Sequence, residues 1–556
     1  VKSLFSYLQS DLRFDLVAGF TVAMIAVPQA MAYAAIAGVN PIYGLYTAIL
    51  PAILAALFGS SRHLNTGPTN SIALVTMGVL LPVVQRADYV EYVFAIAVIS
   101  GAIRLLLGVL RLGGIIRYVS NSVLTGFLAG ASILIVLNQL GNLLGLPHTV
   151  AHEPLSILFQ AMRDVFLHNP FTAVVGATTM MLLVAIRKFD KRLPAPLLAI
   201  VGASVGVQLL SWDTRGVALV RDLGSLQVSL AFHIPQVDLR YWEMLVMGGG
   251  AVALLGLVEP LSVAKSIAAN SGQRIEPSRE FMGQGLASLV GGFCQCIPSS
   301  GSLGRSAVNV ESGARTQVAS TFSGVVVLFA TLVLSQWLSY IPLASLAGVV
   351  MIAAVKMINW RQLQVTWRSG LPSRVTFLVT WMATLLLPLH YAIYLGALLS
   401  IGIYLYETRR VQLTYLLVND RGNFVERQFA EILQTRPAIA IVNIEGALYF
   451  AAAEDLESQL DALFECGVRV AILRLRRVRL LDSTGVTALE RIAANARRRN
   501  TQVMLCGVRE DVAAVLESSG VDQRIGRDNI FKADDALFES TQAALRRAKE
   551  HQIVRR

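Results

Sequence analysis

Two stretches of this chain place hydroxyl and amide side chains directly after a helix-breaking sequence. In the first, Gly67-Pro68 is followed by Thr69-Asn70-Ser71. In the second, Pro298-Ser299-Ser300-Gly301 is followed by Ser302, Gly304, Arg305 and Ser306. A helix that starts at such a point leaves its first N–H groups unsatisfied and carries a partial positive charge of about +0.5 there. Two such starts facing each other would make an anion site. Arg305 would add a full charge, and an arginine near the centre of a bilayer costs at least about 2.5–3.5 kcal/mol on insertion scales, so a functional role is its first reading. It could touch the anion, supply only field, or pair structurally with a carbonyl or carboxylate. Glu259, in the run LLGLVEPLSVAKS, is the second charge of this kind. Burial disfavours the charged form of a carboxyl group, so Glu259 could exchange protons and couple anion entry to proton entry. Structural pairing with Arg305 or Lys265 is the alternative. Arg104, late in an apolar segment, is expected to snorkel to the cytoplasmic interface.

The elements that would hold these residues are long and apolar. The chain has 556 residues, 54% hydrophobic and 15% charged, with mean hydropathy +0.58, against about 25% charged residues in an ordinary soluble domain. Blocks such as 16–36 and 318–338 are long enough to cross a hydrocarbon core of about 30 Å. Fourteen apolar segments can be traced, at 15–36, 42–59, 69–84, 91–110, 119–141, 170–186, 194–211, 243–264, 280–296, 301–311, 317–338, 342–357, 373–388 and 390–407. Segments three and ten are short, and each opens on one of the two breaks. Pro28 in segment one and Pro260 in segment eight are 232 residues apart, and Pro68 and Pro298 are 230 apart. That common offset predicts two inverted repeats of seven segments, with the site at the midplane where paired helices are interrupted. The plainer reading is that proline and glycine are simply frequent in membrane helices.

With the N-terminus in the cytoplasm, the inside loops carry about three times as many Lys and Arg as the outside loops, which satisfies the positive-inside rule. The inside set includes Arg117, Lys191, Arg192, Arg409 and Arg410, and the outside set includes Arg163. An even number of spans then puts both termini in the cytoplasm. The formal net charge of +11 is explained by this topogenic role, and no nucleic-acid partner is expected. The first long apolar block is expected to act as its own insertion signal. Cys294, Cys296, Cys466 and Cys506 show no metal-ligand spacing, His63, His148, His152, His168, His233, His390 and His551 are scattered, and no phosphate-cradling G-x-x-x-x-G-K-[ST] is present. No enzyme, cofactor or metal site is expected.

After Arg410 the hydropathy collapses. Strand-like runs at 438–444, 468–475 and 502–506 alternate with helical patterns at 452–464, 483–499 and 512–517, which predicts one small sheet with helices. The expected organisation is therefore an all-α membrane domain over 1–410 and a soluble α/β domain over 411–556.

With these residues in place, the chain resembles the sulfate permease (SulP) family of anion transporters over essentially its whole length. PQAMAYA from Pro28 to Ala34, GVNPIYGLYT from Gly38 to Thr47, GSSRHLNTGPT from Gly59 to Thr69 and PSSGSLGRSAVN from Pro298 to Asn309 are similar to the family's signature runs. The soluble part resembles the STAS domain that members carry, through IEGALYFAAAEDL from Ile444 to Leu456 and Asp482-Ser483-Thr484-Gly485. The resemblance implies a core domain of segments one to four and eight to eleven that moves against a gate domain of segments five to seven and twelve to fourteen. It implies anion contacts at Gln29, Tyr33, Thr69, Asn70, Ser302, Leu303, Gly304 and Arg305, with Glu259 close by. It also implies a homodimer in the cell's inner (plasma) membrane and, by likeness to anti-sigma-factor antagonists, offers a regulatory phosphorylation at Ser483 as the second reading of that motif. The first reading there is that Asp482 or Ser483 only caps a helix. Sodium-coupled bicarbonate members are similar here but carry Asp at the Glu259 position and a hydroxyl residue where this chain has Val263, so a proton is expected as the coupling ion rather than sodium. The expectation is a secondary active transporter of small anions, an inorganic oxyanion such as sulfate or bicarbonate or a small carboxylate, working by alternating access within lipid. An uncoupled exchanger or channel, and a membrane-tethered sensor acting through its STAS domain, are the alternatives.

Overall fold

The computed structural model describes residues 11–114, 120–146, 163, 168–190, 193–224, 229, 231–408, 411–419, 423–450 and 452–554. Arg117, His148, His152, Lys191, Arg192, Arg409 and Arg410 lie outside them. The chain divides into two compact units, 1–400 and 401–556.

A helix lies over each of the fourteen apolar segments. In chain order these are α1 (Leu12–Ile36), α2 (Pro41–Phe58), α3 (Asn70–Val79), α4 (Tyr89–Val109), α5 (Asn121–Leu144), α6 (Pro170–Phe189), α7 (Ala195–Leu209), α8 (Trp242–Ser271), α9 (Pro277–Phe293), α10 (Leu303–Glu311), α11 (Val318–Leu338) and α12 (Leu343–Met357). After α13 (Trp360–Arg368) come α14 (Leu371–Leu386) and α15 (Leu389–Thr408). Among the described residues, nine helical stretches are long and apolar enough to cross a membrane, while α3, α7 and α14 are shorter apolar helices. The sequence reading missed α13, because its alternation of Trp360, Val365 and Trp367 with Arg361 and Arg368 averages to low hydropathy. Pro28 and Pro260 sit inside continuous helices.

Helix packing is heaviest within two groups, which meet where α1 packs on α7 and α12. In the first, α4 packs on α8 and α9, α2 on α9 and α11, α1 on α2, α10 and α11, and α3 on α8. In the second, α5 packs on α12 and α14, and α6 on α7 and α12. Lipid gives helices no hydrophobic drive to associate, so close approach at small residues must supply the contact. The α4–α9 pair shows it: a Cβ on Gly101 would stand 2.3 Å from the Leu289 nitrogen, and one on Gly285 2.4 Å from the Leu105 nitrogen.

The second unit is built on a six-stranded sheet in the order β4-β3-β5-β6-β7-β8. Its strands are β3 (Gln412–Val418), β4 (Phe424–Gln428), β5 (Ile439–Leu448), β6 (Val470–Leu481), β7 (Gln502–Val508) and β8 (Ile530–Lys532). The pairs β3–β4 and β3–β5 are antiparallel, and β5–β6, β6–β7 and β7–β8 are parallel. After α16 (Phe429–Thr435), the strand period of two puts Ala440, Val442 and Ile444 on one face with Leu456 and Leu460 of α17 (Ala453–Glu465) and Leu489 and Ile492 of α18 (Ser483–Arg498). Ile441 and Ile472 face the other way, toward Ala544 and Ala548 of the C-terminal helix (Glu539–Val554). The three expected strands and three expected helices are all present. The β3–β4 hairpin, β8 and the C-terminal helix were not anticipated.

Candidate functional site

The two breaks meet. Thr66–Gly67 (β1) and Ser300–Gly301 (β2) form a two-stranded antiparallel sheet, with Thr66 opposite Gly301 and Gly67 opposite Ser300. The pairing extends one step, since the Ser302 N–H donates to the Asn65 carbonyl at 2.9 Å, and the Asn65 N–H donates to Ser306 Oγ at 2.9 Å. These bonds satisfy backbone that no helix satisfies at the two breaks. They also fix the starts of α3 and α10 beside one another.

At the start of α3, Thr69 holds the N-cap position without a side-chain cap bond, and its Oγ1 lies 3.3 Å from Ser71 Oγ. At the start of α10, Ser302 is the N-cap and its Oγ accepts the Arg305 N–H at 3.4 Å. Leu303 is 58% exposed, and a Cβ on Gly304 would meet no atom within 4 Å. The first turn of α10 therefore borders open space. Asn70 spends its side chain locally, its Oδ1 accepting the Ser71 N–H at 3.0 Å and its amide donating to Met357 Sδ of α12.

Glu259, on α8, ties the two breaks together through one oxygen. Its Oε2 accepts from Ser71 Oγ at 3.0 Å and from Ser300 Oγ at 3.3 Å. Ser71 stands in the first turn of α3 and Ser300 in β2. Structural pairing with Lys265 is not how this carboxylate is held, for Lys265 is exposed and the bonds come from two hydroxyls.

Arg305 is 1% exposed, yet Nε, Nη1 and Nη2 have no hydrogen-bond partner among the described residues. A buried cation in that condition is costly. Its room is made by Gly67, where a Cβ would stand 2.9 Å from Nη2. On α1, Gln29 Oε1 is likewise buried without a partner, and one turn on, Tyr33 lies within electrostatic reach of both Arg305 and Glu259. The residues expected at the site thus fall into one neighbourhood of α1, α3, α8 and α10, with Asn70 turned toward α12. Gly67→Val is expected to displace the guanidinium and to lower anion uptake by reconstituted protein on the order of tenfold, equivalent to about 1.4 kcal/mol, while the protein stays monodisperse in detergent.

Arg104 requires a correction. It does not snorkel to an interface: it is 0% exposed, and its Nη1 donates to the Ser299 carbonyl at 2.7 Å and Ser288 Oγ at 3.1 Å, while Nη2 donates to the Val252 carbonyl at 3.1 Å. The space it fills is left by Gly256, where a Cβ would stand 2.4 Å from Nη2.

A cavity of about 1160 Å³ opens at the C-terminal end of α3, lined by Met77, Asn138, Gln139, Met247 and His390 among others. It does not include Glu259 or Arg305. No group of three or more His, Cys, Asp or Glu side chains suited to a metal ion occurs among the described residues. In the soluble unit, Asp482 is the N-cap of α18, its Oδ1 accepting the Gly485 N–H at 2.8 Å and its Oδ2 the Phe450 N–H at 3.2 Å. Ser483, the first helical residue, is exposed.

Comparison with known proteins agrees with this architecture. Residues 12–383 match the sulfate permease family and residues 432–540 match the STAS domain. The chain is 27% identical over 554 residues to the chloroplastic sulfate transporter 4.1 of Arabidopsis thaliana, covering 94% of this chain and 79% of that protein. Its fold is similar to that of the murine Solute Carrier 26 family member A9 anion transporter solved in an inward-facing state, with TM-score 0.84, 20% identity, and 98% and 93% of the two chains covered. It is also similar to the transmembrane domain of the cyanobacterial bicarbonate transporter BicA, with TM-score 0.60, 21% identity, and 71% and 98% covered. The chain belongs to the sulfate permease family: it is a multi-pass membrane transporter of anions, not an enzyme, and carries a C-terminal STAS domain.

Proposed function

We propose that the chain is a proton-coupled symporter of a small oxyanion, with the anion held between the starts of α3 and α10 by Gln29, Tyr33, Thr69, Asn70, Ser302, Leu303, Gly304 and Arg305. The observation that carries this reading is the bonding of Glu259 to both Ser71 and Ser300 beside a buried arginine whose three guanidinium nitrogens are unpartnered. One carboxyl group that touches the first turn of α3 and the strand leading into α10 can report the occupancy of either break by its own protonation. Val263, where a sodium site would want another oxygen, favours the proton over sodium. Sulfate is the first candidate substrate, from the names of the relatives.

In this reading the set of α1–α4 and α8–α11 is the core that carries the anion, and the set of α5–α7, α12, α14 and α15 is the gate it moves against. Residues 1–410 form the transport domain and 411–556 the STAS domain. The protein would be a homodimer in the inner (plasma) membrane, with both termini in the cytoplasm by the distribution of basic loops. Ser483 would be the modified residue, since a phosphate at the start of α18 is favoured by the helix dipole.

The test is uptake of labelled sulfate by proteoliposomes with the membrane potential clamped at zero. An inward proton gradient should raise accumulation by up to about tenfold for each pH unit, because one unit is worth about 1.4 kcal/mol per proton. Uptake that ignores the gradient but is stimulated by internal anion would identify an uncoupled exchanger instead. Flux that scales with voltage when the clamp is then varied, and does not saturate with anion concentration, would identify a channel.

A further inference from the structure

Arg104 is, with Arg305, one of two fully buried arginines among the described residues of the membrane domain, and it is bound where the site is made. Its Nη1 holds the Ser299 carbonyl, the residue immediately before β2, and Ser288 Oγ, which in turn lies 2.8 Å from Ser299 Oγ. Its Nη2 holds the Val252 carbonyl, seven residues before Glu259 on α8. One guanidinium on α4 thus ties α8 and α9 to the turn that delivers Ser300 to Glu259 and to Gly67. Every acceptor it uses is neutral, so no carboxylate cancels its charge by direct contact. The shape of the job could have been met by a neutral side chain, at far lower desolvation cost. The charge is therefore the part that needs an explanation.

We propose that Arg104 is a positioning residue for anion transport and the second fixed positive charge of the anion site: it holds the β2 half of the site in register and supplies field to the anion without touching it. The inference rests on the placement of the anion between α3 and α10 given above. With Arg305 it gives the neighbourhood two fixed positive charges against the one carboxyl of Glu259. Such a site favours a dianion when Glu259 carries a proton and still attracts a monoanion when it does not.

The test separates field from scaffolding by ligand charge. Coulomb energy scales with the charge of the ligand, so removing one distant positive charge should weaken a dianion by the square of the factor that it weakens a monoanion. Half-saturating concentrations of sulfate and of nitrate are measured by uptake and competition in proteoliposomes. Arg104→Met is expected to raise the value for nitrate about tenfold and that for sulfate about a hundredfold, and Arg104→Lys to restore the sulfate-to-nitrate ratio. Ser288→Asp, which neutralises Arg104 while leaving it in place, should reproduce the shift, and it decides the question alone if Arg104→Met does not fold. Equal factors for the two anions, or a fall in maximal rate alone, would overturn the proposal. If Arg305→Ala also leaves both half-saturating concentrations unchanged, the placement of the anion is what fails.

Discussion

Arg305→Ala abolishes anion uptake, by at least about a hundredfold, and leaves the purified protein as stable as the parent or more so. Both halves of this expectation follow from one arrangement. The guanidinium is 1% exposed, and its three nitrogens donate to no group among the described residues. Removing it therefore breaks no protein hydrogen bond and relieves the cost of a cation kept out of water, about 2.5–3.5 kcal/mol or more on insertion scales. Substitutions that delete a structural arginine do the opposite, because they strand its partners. Arg104, with three bonded acceptors, is the internal contrast: its loss should lower the melting temperature where the loss of Arg305 does not. The measurement is thermal unfolding of the two purified variants beside sulfate uptake in proteoliposomes. Normal transport by Arg305→Ala, or its collapse into aggregate, would make Arg305 a structural residue and empty the site of its main cation.

What the sequence disclosed of this site was its punctuation. Gly67-Pro68 and Pro298 to Gly301 interrupt apolar runs, and a 3.6-residue period cannot pass through such a sequence, so the two half-helix starts were legible. That the interruptions pair as strands was not legible, because the register of Thr66 with Gly301 joins residues 235 positions apart and no local pattern encodes it. The partners of Glu259 were missed for the same reason: Ser71 and Ser300 come to it from opposite halves of the chain. Arg104 was misread because its distance from the end of α4 suits a snorkelling side chain. Its actual direction is decided by Gly256 on another helix, whose missing Cβ opens the inward path. In the soluble domain, the central strands β5, β6 and β7 were visible as β-branched and apolar runs. The edge strand β4, reading Phe424-Val425-Glu426-Arg427-Gln428, is charged and mostly exposed, as an edge must be to resist pairing with another chain, and it carries no hydrophobic signal.

Glu259→Gln should uncouple the transporter without closing it. The amide is nearly isosteric with the protonated carboxyl group, and its oxygen can still accept from Ser71 Oγ or Ser300 Oγ, which bond Glu259 Oε2 at 3.0 and 3.3 Å. With the amide oxygen in the place of Oε2, accepting from both hydroxyls, the link between α3 and β2 survives, and the variant is fixed in the neutral form. Exchange of internal for external anion needs no change of protonation and should persist within about threefold of the parent rate, a difference of about 0.7 kcal/mol. Net accumulation driven by a proton gradient requires the group to take up a proton on one side and release it on the other. In the parent, uptake should fall as the external pH rises at constant internal pH, since fewer carriers then bind a proton with the anion. In Glu259→Gln that dependence should be flat, and an imposed gradient should leave accumulation unchanged. Paired measurements of counterflow and gradient-driven uptake distinguish the outcomes. Loss of both would make Glu259 a structural strut between Ser71 and Ser300. Retention of gradient-driven uptake would move the coupling proton to another group, and Tyr33, within reach of the same charges, would be the next residue to test.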